Sequence, residues 1–109
     1  MTEDKKTTRT IKELREALLN SHWPKCIDIA KAIAENDSPE AREALIAALK
    51  TKRHQVRSAA MEALASYKDL SIVSLIEPHL DDLSYEARMT AKGVIKKLTG
   101  KDVPTARGE

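Results

Sequence analysis

Few of the chain's reactive side chains stand where they can work together. His22 and Cys26 lie four residues apart, a spacing that can place two metal ligands on one helix face. A zinc site needs at least one further ligand, so the simpler assignment leaves His22 in a loop and packs Cys26 as a small apolar residue. Asp81 and Asp82 suggest paired carboxylates, but adjacent side chains diverge, and the pair falls where a helix-capping turn is expected. His54 opens one expected helix and His79 nears the end of another, and neither has a nucleophile beside it. The sequence contains no P-loop, no dinucleotide glycine pattern, no HExxH and no nucleophile elbow. The reading is therefore noncatalytic, with no catalytic residues, no metal and no cofactor.

The elements that would position any site follow from composition and periodicity. Only Trp23, Tyr67 and Tyr85 are aromatic among 109 residues, and Phe is absent, whereas Ala, Leu, Ile, Lys and Glu abound. Such a composition favours helices over strands. A shift of 31 residues superposes Leu14, Leu45 and Ile76, then Leu18, Leu49 and Leu80. In a second block it superposes Ile29, Ala60 and Ala91, then Ala32, Ala63 and Val94, and likewise Ile33, Leu64 and Ile95. Matches at i, i+3 and i+4 are helical, so each repeat is a helix pair. The expected helices are 8–19, 24–34, 39–50, 54–66, 70–80 and 85–98. Ser38-Pro39-Glu40 and Ser84-Tyr85-Glu86 supply N-terminal caps, and Gly100 a C-terminal stop. This is an all-α solenoid, a right-handed stack of three helix pairs in one domain. Its units are 8–37, 38–68 and 69–100, between a flexible start at 1–7 and a flexible tail at 101–109.

Residues Ala44-Leu45-Ile46-Ala47-Ala48-Leu49-Lys50, followed by Gln55-Val56-Arg57-Ser58-Ala59-Ala60-Met61, resemble a HEAT-like repeat of the short kind also found in bilin lyases. The next unit is similar, its Arg88 falling on Arg57, the arginine that the family pattern sets near the start of the second helix. The first unit departs from the pattern by carrying Cys26 there. The resemblance covers about residues 8–100 and implies an architecture, with first helices on the convex side and second helices on the concave side. It also implies several functions, because the family includes scaffolds, lyase chaperones and DNA glycosylase relatives.

Charge then distinguishes the faces. The formal net charge is only +2, but the second helices carry seven basic residues against three acidic ones, making the expected concave side basic. The favoured function is a scaffold that binds another protein there through Arg57, Arg88, Met89, Lys92, Gly93 and Lys96. Gly93 enters because a missing side chain lets a partner's backbone approach closely. A nucleic-acid module using the same cations on phosphates is the alternative, weakened by the scarcity of aromatic residues for base stacking. An accessory to bilin attachment is the second alternative, although three repeats are short for it and nothing marks a pigment pocket. Trp23 is expected to cover the edge of a helix pair, with an exposed binding anchor as the other reading. The apolar run of the fifth helix suggests a weak homodimer through Val73, Leu75 and Leu83, unless Pro78 kinks the helix and sinks the run into the core. One cysteine, no apolar leader and no run long enough to span a membrane suggest a cytoplasmic protein.

Overall fold

The computed structural model describes residues 10–106. Six α-helices and two short 3-10 helices account for the secondary structure of these residues, which include no strand. The helices are α1 (Ile11–Leu19), α2 (Lys25–Ala34), α3 (Pro39–Ala48), α4 (His54–Ala65), α5 (Val73–Ile76) and α6 (Tyr85–Thr99). Helices α2, α4 and α6 pack side by side as one layer, with α1, α3 and α5 against it, and the body extends 50 × 25 × 18 Å. This is an α-solenoid of three helix pairs, as the 31-residue period requires.

The starts of the helices are written locally. At α1 the Thr10 hydroxyl accepts from the Glu13 N–H while the Glu13 carboxylate accepts from the Thr10 N–H, so two orphan donors are satisfied reciprocally. This box starts the helix at Ile11; residues 8 and 9 of the expected helix lie outside the described residues. Ser38 and Ser84 cap α3 and α6 through the N–H groups of Ala41 and Ala87, each cap contributing about 1 kcal/mol. Most residues matched by the repeat are buried, while Ile29, Ala32 and Leu80 are half-buried. Leu18, Ile33, Leu45, Met61, Leu64 and Ile76 are fully buried, and alanines between them let the layers approach closely.

Two polar edges tie the units together. On the edge where the helices of a unit join, Arg53 Nη1 donates to the Ser21 carbonyl at 2.8 Å. Arg57 donates to the carbonyls of Thr51 and Lys52, at 2.9 and 3.0 Å, and clasps both Asp82 oxygens with Nε at 2.8 and Nη2 at 2.7 Å. Arg88 repeats the arrangement on the Asp82 carbonyl at 2.8 Å. These guanidinium groups satisfy loop carbonyls that the helices leave unpaired. Cys26 occupies the equivalent place in the first unit and is too short to do so, and Arg53 bonds that unit's loop instead. On the opposite edge, Arg42 bridges Asp37 and Asp69, at 2.8 and 2.7 Å, and lies over the Tyr67 ring, 4.4 Å from its centroid. The Tyr67 hydroxyl donates to the Asn36 carbonyl, its own equivalent loop one repeat earlier.

The third unit departs from the expected pattern. Instead of one helix over 70–80, the chain forms a 3-10 turn at Leu70–Ile72, the single turn of α5, and a second 3-10 stretch at Glu77–Asp81 with Pro78 as its second residue. Proline has no N–H to continue the ladder and its ring crowds the preceding turn, so the helix breaks there. Ile72 and Ile76 are buried, while Val73, Leu75 and Leu80 are half-buried and pack on the core. The exposed aliphatic run expected at Val73 and Leu75 is therefore absent. Leu83, in the following turn, stands out at 83% exposed, and Leu70, at the start of the unit, is exposed as well, but the two do not continue the run.

The tail also differs from expectation. Residues 101–106 fold back on the end of the stack: the Ala106 N–H donates to the Leu80 carbonyl at 3.0 Å, Thr105 is buried and Val103 packs on the core. Asp102 pairs with Lys96 at 3.1 Å. An end repeat presents a stripe that an inner repeat would bury, and this segment covers part of it. Residues 107–109 lie outside the described residues.

Candidate functional site

The layer of second helices encloses an open groove of about 880 Å³, and the 31-residue register arranges its walls in four levels. At the helix N-terminal end Trp23, Gln55 and Glu86 line it. One turn on, Ile27 faces Thr90 across Ser58 and Ala59. Lys31 and Glu62 follow, with Ala63 beneath, and the last level holds Glu35, Ser66 and Lys97. The α4 floor is made of small residues because Ala59 and Ala63 also pack between the layers. The α2 wall stands taller, since Ile27, Lys31 and Glu35 along it, and Trp23 in the turn before it, are large.

Trp23 is 59% exposed at the mouth of this groove. It stands open there instead of covering a helix pair. Gly93 lies on the α6 stripe between Thr90 and Lys97, and a Cβ built on it would meet nothing within 4 Å. The far wall is therefore lowest in its middle.

The predicted binding cations are dispersed. Arg57, 14% exposed, and Arg88, half-buried, both turn toward the Asp82 turn and away from the groove, so neither offers a free guanidinium. This corrects the expectation of a concave face made basic by these arginines: the reach of a long side chain is decided by its partner, here Asp82, and not by the helix that carries it. Lys96 pairs with Asp102, and Met89 and Lys92 are half-buried beside the stripe. Gly93 alone of the six stands open on the groove side. The charges that do line the groove are Lys31 and Lys97 against Glu35, Glu62 and Glu86. Lys97 pairs with Glu62 at 3.2 Å, and Glu86 approaches the His54 ring at 3.3 Å without hydrogen-bond alignment. No ion pair engages Lys31 or Glu35 among the described residues.

The residues first weighed for chemistry have other work. His22 is exposed whereas Cys26 is fully buried, with its sulfur 3.8 Å from the Gln55 carbonyl, so the two do not converge. Burial pushes the Cys26 thiol above its ordinary range, which suppresses the reactive thiolate. Asp81 is exposed and Asp82 is 6% exposed, so they face different surroundings. Burial opposes the charge on Asp82, but hydrogen bonds from Arg57, the Ser84 N–H and His79 outweigh it and hold the carboxyl at about 2. That carboxylate is a structural clasp. Among the described residues no three His, Cys, Asp or Glu side chains cluster as a metal site would require.

Fold and groove together define the class as an α-solenoid with an open face of second helices. The family model for HEAT repeats matches residues 11–96, most of the chain, and the protein belongs to that family. Comparison with curated protein sequences gives no match. HEAT repeats commonly serve as protein-interaction scaffolds, and the family is typically noncatalytic. No helix among the described residues is long and apolar enough to cross a membrane.

Proposed function

We propose that this protein is a noncatalytic adaptor that binds another protein in the groove of α2, α4 and α6. The observation that carries the reading is the exposed indole of Trp23 at the mouth of a groove floored by alanine and serine. Exposing a large aromatic ring forfeits apolar burial, and tryptophan is the side chain most enriched where binding energy concentrates. Small floor residues leave room for a partner's backbone. The nucleic-acid reading is less well supported, because Arg57 and Arg88 are held by Asp82 and the remaining groove charges include more carboxylates than ammonium groups.

Affinity capture from native extract with a groove-filling variant tests the reading. Gly93→Trp places a ring in open space and preserves the fold, and it is expected to lose a partner that wild type and a convex-face control, Glu43→Trp, both retain. Equal recovery by all three proteins overturns the groove assignment.

A further inference from the structure

We propose that the groove's occupant is an amphipathic helix of about three turns, running antiparallel to α2, with the order base, acid, apolar, apolar at successive four-residue steps. The proposal rests on the groove being the binding face and adds the chemistry of what binds there.

The pattern is written on α2. Ile27, Lys31 and Glu35 follow at four-residue steps along the helix and its C-terminal cap, Trp23 stands in the turn just before it, and all four line the groove. Steps of four along α2 fall on one helix face and Trp23 lines the groove at that helix's N-terminal end, so the wall reads apolar, apolar, cation, anion from there. The ten residues of α2 rise about 15 Å, nearly three turns of a second helix laid alongside. The first half of the wall offers an indole and a half-buried isoleucine. The second half offers an ammonium and a carboxylate that no described residue neutralises, whereas the groove's other charges face partners at 3.2 and 3.3 Å. Charge complementarity therefore asks for an acid opposite Lys31 and a base opposite Glu35.

Direction and conformation follow from the same layer. Helices α2, α4 and α6 run parallel, with their positive dipole ends at the Trp23 end, so a neighbour is favoured when its own dipole opposes theirs. A docked helix then begins near Glu35 and ends near Trp23. Ala59 and Ala63 on the floor, and the vacant Gly93 Cβ position on the far wall, allow a helical backbone to settle close to α4. An extended strand places alternate side chains about 6.6 Å apart, close to this step, but it leaves its backbone polar groups against helices that offer no free backbone partners, whereas a helix pairs its own.

Trp23 is the chain's sole tryptophan, so its fluorescence reports occupancy of the first level directly. The probe is an alanine-rich helical peptide of about sixteen residues carrying Lys, Glu, Leu and Leu at four-residue steps. Titration is expected to shift Trp23 emission to the blue. A peptide with Lys and Glu exchanged should bind roughly tenfold more weakly, as two exposed attractions become repulsions. The protein variant Lys31→Glu with Glu35→Lys, at residues whose side chains make no ion pair among the described residues, should reverse that preference. Equal affinity for the two peptides, an unreversed preference, or an equal emission shift with a single-stranded oligonucleotide overturns the proposal. The capture experiment separates the two levels of inference. If the peptide fails while Gly93→Trp still loses a partner, the groove stands and the helical occupant falls; if Gly93→Trp keeps its partner, the groove reading falls with it.

Discussion

Replacing Asp82 by Asn removes a charge that the structure uses four times. The carboxylate accepts two hydrogen bonds from Arg57, one from the Ser84 N–H at 2.9 Å and one contact from His79 at 3.2 Å. With the charge gone, the buried Arg57 guanidinium has no counterion, and breaking one side of a buried pair costs about 3–5 kcal/mol. A domain of this size has about 5–15 kcal/mol in all, so the variant should be severely weakened but still foldable at low temperature. Urea unfolding followed by circular dichroism at 222 nm measures the loss. Acid titration gives a second reading. A carboxyl held at about 2 against an ordinary value of 3.8 contributes about 2 kcal/mol, fully present above the ordinary value and lost as pH falls toward 2. Wild-type stability should therefore drop through that window more steeply than that of Asp82→Asn. A loss below about 1 kcal/mol, or parallel pH profiles, would refute the clasp.

Gly93→Ala should stabilise the protein by about 1 kcal/mol in the same urea assay, because a mid-helix glycine costs that much and the added Cβ meets nothing within 4 Å. Lys68 holds a left-handed backbone with φ of 57°, so Lys68→Gly should raise stability by about 0.5–1 kcal/mol despite glycine's greater unfolded-state freedom. Ending the chain at Gly100 removes the Ala106 hydrogen bond to Leu80 and the cover over the last unit, and should lower stability by about 1–3 kcal/mol with increased binding of an apolar dye.

What was legible in the sequence was the part enforced locally and repeatedly. The 31-residue offset superposes Leu14, Leu45 and Ile76, and the structure buries all three, because each unit meets the same packing problem. Ser38 and Ser84 cap as read, since an N-cap depends on only three residues. The fifth helix was harder: the apolar pattern argued for length and Pro78 for a break, and the missing N–H prevailed. Arg57 and Arg88 were placed on the correct helices but assigned to the wrong surroundings. Asp82 lies 25 residues beyond Arg57, and counting charge by helix cannot show that partnership. The docking of residues 101–106 is likewise nonlocal and leaves no periodic trace. The groove wall was partly visible, since Ile27, Lys31 and Glu35 keep a four-residue step along α2 and its cap, while Trp23 joins it from the preceding turn. Summing charge over whole helices obscured it, whereas sorting by helix face would have found it.

Amide NMR of the isotopically labelled protein, recorded alone and with the partner recovered by wild type, tests the binding claim most directly. Shift changes and broadening confined to α2, α4 and α6, strongest at residues 23–35 and around Gly93, are the predicted result. Perturbations centred on α1 and α3, with the Trp23 indole resonance unmoved, would contradict it.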